Sequence, residues 1–287
     1  MSTQDTIIEN IDWNQLSLDQ LKQIQSAVCK AIYQKQSSSK LASQTASHTD
    51  NYKVSVAKVF PRHLRYSLAD YQSCIFLISL GSKNIIHSNR LKACIEWISK
   101  NFQTCTVMVG DSLYRLTLEI RHKSTGDTAL QEALQAGQEF IDRNRSYFAQ
   151  WEQHCTFQFQ GTSEMEIKYK SQVIQYYQQL QTLYQTNESF RSMVDRFAQG
   201  YLNRGKEITP DSETEEHPHE SFLAKTYCLE ESALFTCLVE DENLPFIYPG
   251  SIKTFEEISE GLHPEVPEPL QRMTWISLRL NKKRESG

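Results

Sequence analysis

Residues 74–82 read Cys-Ile-Phe-Leu-Ile-Ser-Leu-Gly-Ser, an apolar run that stops at a glycine and a serine. A run of that length with no polar alternation predicts a short strand buried on both faces. Beyond it, Ser88 is placed to cap a helix whose apolar set is Leu91, Ile95, Trp97 and Ile98, and residues 106–109 (Thr-Val-Met-Val) predict a second buried strand. Strand, helix and strand in that order make a βαβ unit, which winds right-handedly into a parallel sheet. The fold class expected is therefore α/β, with ligands binding outside the carboxyl ends of the strands. Ser79, Gly81 and Ser82 fall at one of those ends.

Working outward, residues 128–153 predict one long helix, 156–160 (TFQFQ) a short strand, and 163–204 two helices broken near Asn187. A further helix is expected over 222–239, and strands over 245–248 (PFIY) and 273–280 (MTWISLRL). Toward the N-terminus, Leu16, Leu18, Leu21, Ile24, Val28 and Ile32 recur at helical spacing, followed by a small, polar stretch over 37–50 that reads as a flexible linker. Residues 1–50 are thus expected to form an extension, and 51–287 a single domain that begins near Tyr52.

The composition narrows the function classes. Among 287 residues, 30 Lys and Arg face 35 Asp and Glu, for a net charge of −5. Five of those carboxylates lie in residues 211–220 (DSETEEHPHE), so the rest of the chain is balanced and carries no global nucleic-acid signature. No uncharged apolar run approaches the roughly 20 residues of a membrane helix, and the N-terminus lacks the pattern of a secretory signal. Seven cysteines without a CxxC pair read as reduced thiols of a cytoplasmic protein and leave no structural zinc site. Only ten glycines and eight prolines disfavour a turn-rich all-β fold. His217 and His219 sit among glutamates in a polar loop and read as solvated, and Asn187-Glu188-Ser189 is a sequon without meaning in a cytoplasmic chain. A P-loop, a GxGxxG and a GxSxG are all missing, so no metal and no cofactor is expected.

Three separated pieces remain. They are Ile78-Ser-Leu-Gly-Ser82 at a strand end, Tyr227-Cys-Leu-Glu-Glu231 on a helix, and Tyr248-Pro249 at a later strand end. The four-residue spacing puts Tyr227 and Glu231 on one helix face. In order and spacing these pieces resemble the cyclodipeptide synthases, which join the amino acids of two aminoacyl-tRNAs into a diketopiperazine; the resemblance covers residues 71 to about 260. In that family a hydrophobic-Ser-x-Gly strand end carries the nucleophile, matching Ser79 and Gly81, and a Tyr-x-x-x-Glu helix and a Tyr-His or Tyr-Pro follow. Leu234-Phe235 and the Asn203-Arg204 pair also fall where the family has them. With Ser82 and Tyr248-Pro249, the chain looks like the Tyr-Pro branch.

The resemblance implies a Rossmann-like parallel sheet flanked by helices, similar to the catalytic domain of class I aminoacyl-tRNA synthetases. The ATP signatures of those synthetases are absent here. It implies an enzyme acting on two aminoacyl-tRNAs through an aminoacyl group held on Ser79, with oxyanion donors near Gly81 and Ser82; a monomer is the default expectation. Tyr227 and Glu231 would hold the substrate amine, Glu231 would take a proton in the second transfer, and Tyr248 would relay one in the cyclisation. Ile75, Leu77, Met108, Leu234 and Phe246 are expected to line the pocket, with Asn203 and Arg204 also at the substrate, and Leu77 with Met108 to limit the first aminoacyl group to a small one. The family's other branch grips tRNA with a basic long helix; helix 128–153 offers only Arg143 and Arg145, so Lys53, Lys58, Arg62, Arg65, Arg121, Lys123, Lys168, Lys170 and the tail 282–284 are further candidates. Two alternatives differ in class. A non-catalytic aminoacyl-tRNA or protein-binding module would be expected to have lost the serine or the glutamate, and an unrelated serine acyltransferase would show a His/Asp partnership.

Overall fold

The structure is a computed structural model that describes Ser17, Gln20 and residues 52–82, 88–204 and 218–282. The chain divides into two compact units, Met1–Thr49 and Asp50–Gly287. In the first, Ser17 and Gln20 cap each other: the Gln20 amide N–H donates to Ser17 Oγ at 3.3 Å and the Ser17 N–H to Gln20 Oε1 at 2.9 Å. That reciprocal pair is the signature of a helix start. The remainder of the expected amphipathic helix and the linker lie outside the described residues.

The second unit is built on six strands in the order β1-β6-β5-β2-β3-β4. They span Tyr52–Phe60 (β1), Ser73–Ile78 (β2), Thr104–Val109 (β3), Thr156–Gly161 (β4), Phe246–Pro249 (β5) and Trp275–Lys282 (β6). Five are mutually parallel, and β1 closes one edge antiparallel to β6. β2 sits mid-sheet, and Cys74 through Ile78 are all buried, which accounts for its unbroken apolar run. β4 forms the other edge and is mostly half-exposed, hence its alternating Phe and Gln.

Helix α1 (Ser88–Asn101) makes the first crossover, as expected. The next holds two helices: α2 (Asp111–His122), which the sequence reading did not anticipate, and α3 (Gly126–Ala149), which stops at Ala149 because residues 150–154 turn toward β4. Three helices, α4 (Thr162–Lys168), α5 (Lys170–Thr186) and α6 (Glu188–Leu202), replace the two expected. The break at Asn187 is a cap, its Oδ1 accepting the Phe190 N–H at 2.9 Å. Helix α7 (Pro218–Glu242) then returns the chain past β2 to β5, and it is buried on nearly all sides from Leu223 to Val239, so it has no polar face. Short helices α8 (Lys253–Ser259) and α9 (Glu268–Gln271) lead to β6, which begins two residues later than expected.

β1 was not anticipated because edge strands disguise their pattern. Lys53 and Lys58 are exposed on it, and the register shifts between Val56 and Lys58. The core between sheet and helices is strongly aromatic: Trp275 lies 5.2 Å from Phe255, and Phe235 lies 4.9 Å from both Phe246 and Phe255, centroid to centroid. The winding direction reverses between β2 and β5, since β3 and β4 follow on one side and β5 and β6 on the other. Such a reversal leaves a crevice at the carboxyl ends of the two strands that part there.

Candidate functional site

A cavity of about 30 Å³ occupies that crevice. Ser79 is the first residue past β2, and its carbonyl accepts the Ser82 N–H at 3.1 Å, so the chain turns as it leaves the sheet. The adjoining end of β3 is fixed to it by the Gly110 N–H, which donates to Ile78 O at 2.9 Å. A Cβ on Gly81 would meet Thr117 Cγ2 of α2 at 3.4 Å, an ordinary contact, so the fold itself leaves room for a methyl there.

Helix α7 brings Tyr227 and Glu231 to the same cavity, one turn apart, and β5 brings Tyr248. A carboxyl on a helix otherwise clad in apolar side chains is hard to ionise. Burial pushes Glu231 up to about 8, against the opposing pull of the Arg204 charge and the Tyr227 phenol. Its Oε2 is out of solvent and without a hydrogen-bond partner, which costs about 1–3 kcal/mol until a donor arrives. The Tyr227 phenol is pushed well above its ordinary value by burial and then by Glu231, and Tyr248 upward by burial, with the Ser82 hydroxyl beside it working the other way. Ser79, Tyr227, Tyr248 and Glu231 therefore offer one hydroxyl, two protonated phenols and a carboxyl poised to exchange a proton near neutrality.

Of the residues expected at the site, Ser79, Leu77, Met108, Arg204, Tyr227, Glu231 and Tyr248 border this cavity. Ile75, Leu234 and Phe246 instead lie in the core and are not among its lining. Ile75 is one strand repeat below Leu77 and pairs with Phe246, deep in the sheet, while Leu234 yields its place on the wall to Phe235, about 100° further round α7. Gly81 and Ser82 stand in the turn beside the cavity, and Asn203 caps the end of α6. Arg143 and Arg145 lie on α3 and do not border it; Arg143 is exposed, and the Arg145 guanidinium rests 5.5 Å from the Phe159 ring. Lys58, Arg62 and Lys168 are ion-paired with Glu256, Glu260 and Asp241. Lys283 and Arg284 are outside the described residues.

Two features were missed from sequence. The first is an aromatic wall, in which Phe197, Tyr201 and Tyr227 have centroids 5.2 to 6.1 Å apart and Tyr201 is held by a hydroxyl–hydroxyl bond to Thr117. Its trace is Phe197, Tyr201 and Arg204 at spacings of four and three. The second is Asp111, a buried carboxylate at the start of α2. Its Oδ1 accepts the Ser112 N–H, the Thr162 hydroxyl and the Ser163 N–H at 2.7 to 2.9 Å, and its Oδ2 accepts the Ser163 hydroxyl at 2.7 Å. Glycine is required around it, because a Cβ on Gly161 would fall 2.3 Å from Oδ2 and one on Gly137 2.7 Å from the Asp111 Cβ. Asp111 thus ties α2 to the end of β4, and Thr162 reaches the cavity from there.

Among the described residues, no group of three or more His, Cys, Asp or Glu could hold a metal ion, and no helix is long and apolar enough to cross a membrane. The six described cysteines are free and buried.

The fold is one seen before. At the level of sequence no family model matches the chain, and neither does any curated protein. Among solved structures, a CDPS from Fluoribacter dumoffii superposes with a TM-score of 0.64 at 24% identity, over 81% of this chain and 100% of its own. A Mycobacterium tuberculosis protein, described as showing that cyclodipeptide synthetases are related to type I tRNA synthetases, gives 0.54 at 13% identity, over 83% and 96%. The cyclodipeptide synthase of Candidatus Glomeribacter gigasporarum, solved bound to Phe-tRNAPhe, gives 0.55 at 15% identity, over 78% and 94%. The chain therefore has the α/β fold of the cyclodipeptide synthases, along 94–100% of the length of these proteins.

Proposed function

We propose that the protein is an aminoacyltransferase of the cyclodipeptide synthase type, using two aminoacyl-tRNAs and a serine-bound intermediate. The observation that carries it is the convergence of Ser79, Tyr227, Glu231 and Tyr248 on one cavity at the switch point of a sheet shared with those enzymes. The combination of Ser82 with Tyr248-Pro249 favours the Tyr-Pro branch.

In the first step the Ser79 hydroxyl attacks the ester carbonyl of one aminoacyl-tRNA; the Oγ–C bond forms, the bond to the ribose oxygen breaks, and the serine proton ends on that oxygen. Tyr227 and Glu231 hold the free amine, which supplies the donor that Glu231 Oε2 lacks. That amine then attacks the ester of a second aminoacyl-tRNA: the peptide C–N bond forms, the bond to the second ribose oxygen breaks, Glu231 takes the amine proton and passes it to that oxygen, the tRNA leaves, and a dipeptidyl group remains on Ser79. Attack of the terminal amine on the Ser79 ester closes the ring and returns the proton to Oγ, with Tyr248 placed to relay it. An ester is already activated, so positioning suffices and no ATP is consumed. Leu77 and Met108, paired across β2 and β3, narrow the cavity beside Ser79 and favour a small first aminoacyl group such as Gly or Ala.

The test is intact-protein mass spectrometry after incubation with aminoacyl-tRNA. Wild type and Glu231→Gln should gain an aminoacyl mass, the variant holding it because the second transfer stalls, while Ser79→Ala gains none. Normal loading of Ser79→Ala would remove the nucleophile assignment, and absence of any diketopiperazine from the wild type would remove the activity.

A further inference from the structure

Two guanidiniums from different elements converge on one ring. Arg204, just past α6, lies 5.2 Å from the centroid of Tyr201, and Arg121, in the last turn of α2, lies 5.9 Å from it. A guanidinium resting against an aromatic ring uses its π face and leaves its N–H edges free, the arrangement best suited to gripping a phosphate. Both side chains are exposed, and among the described residues neither has a carboxylate partner. Glu231, which faces Arg204, does not neutralise it at pH 7 because burial keeps the carboxyl largely protonated. Arg204 also borders the cavity that holds Ser79, so the cavity opens to solvent beside this pair. The ring beneath them is fixed: Thr117 bonds the Tyr201 hydroxyl with its own and turns its methyl toward Gly81, 3.4 Å from where a Cβ there would stand, so one turn of α2 faces both the Ser79 turn and the arginine platform.

We propose that Arg121, Arg204 and the Tyr201 ring form a phosphodiester clamp at the mouth of the cavity, built for the single-stranded 3′ end of an RNA. The clamp rests on the aminoacyl-tRNA reading above, and it names where the polyanion is held. An ester delivered to Ser79 is attached to the terminal ribose, so the phosphate that comes nearest Arg204 is the one 5′ of that last nucleotide. The clamp also answers a difficulty in the charge distribution. In a chain of net charge −5, with Lys58, Arg62 and Lys168 already neutralised, Arg121 and Arg204 place two positive charges at the entrance to the site, where they position the reacting end.

The experiment is fluorescence anisotropy with uncharged tRNA and with the same tRNA lacking its last four 3′ nucleotides, over a series of salt concentrations. Arg121→Gln and Arg204→Gln should each weaken binding of intact tRNA roughly tenfold at low salt and reduce the slope of log K against log salt by about 0.7. The shortened tRNA should bind wild type as weakly as intact tRNA binds the double variant, and the double variant should no longer tell the two RNAs apart. Both positions are exposed, so the variants should melt with the wild type. Unchanged affinity and slope in the folded variants would overturn the clamp, as would a wild type indifferent to the missing 3′ end. Because these measurements read binding alone, they separate the two proposals. A 3′-end preference lost in the variants, in a protein that never forms an aminoacyl-enzyme, keeps the clamp and removes the transferase; product formation with unchanged tRNA affinity in the variants does the opposite.

Discussion

In the proposed reaction Glu231 is the residue on which the chemistry turns, and its burial makes it measurable. Its folded pKa of about 8 lies above the ordinary carboxyl value of 4.5, so between those values the folded state holds a proton that the unfolded chain has lost. Stability must then fall as pH rises through that window. Glu231→Gln removes the titrating group while keeping its shape. It should be about 1–3 kcal/mol more stable than wild type at pH 8, with the advantage shrinking toward pH 5, in urea titrations at the two pH values. A constant difference would place the carboxyl in contact with water. In the proposed reaction the second transfer should quicken as pH rises toward 8, because the carboxyl must lose its proton before Glu231 can act as a base.

Among the elements, α2 holds the Ser79 turn and the aromatic wall together, and it is pinned by Asp111. The paired glycines at 161 and 200 test this. Gly161→Ala drives a methyl into Asp111 Oδ2 and should cost about 2–4 kcal/mol of stability with a large loss of activity. Gly200, within α6, has nothing within 4 Å of an added Cβ, so Gly200→Ala should be neutral or stabilise by about 0.5–1 kcal/mol. Equal behaviour of the two in chemical denaturation would mean that Asp111 does not fix α2. Leu77→Ala lies on β2 beside the nucleophile; if Leu77 limits the first aminoacyl group, the range of diketopiperazines seen by mass spectrometry should widen while the fold is kept.

For the molecule as a whole, the division at Thr49 predicts that residues 50–287 fold without what precedes them. A chain begun at Asp50 should melt within about 2 °C of the full protein, since every core residue among the described residues lies beyond that point. Trp275→Ala, by contrast, empties the centre of the aromatic core and should cost about 3–5 kcal/mol. The sequence by itself determined the parallel sheet, because a strand buried on both faces must be apolar where it is buried, as residues 74–78 of β2 and 107–109 of β3 are. It also determined the place of Ser79 at a strand end and the Tyr227–Glu231 pair, because a helical turn is a local fact. Only the tertiary structure decided the rest. β1 needs β6, some 220 residues away, to become an edge; α2 draws its buried face from α6 and α7. Which of Leu234 and Phe235 faces the cavity depends on how a helix with no polar side is turned, and periodicity cannot report that. The convergence of Tyr201 with Arg121 and Arg204 depends on three segments meeting, and no spacing along the chain records where such segments meet.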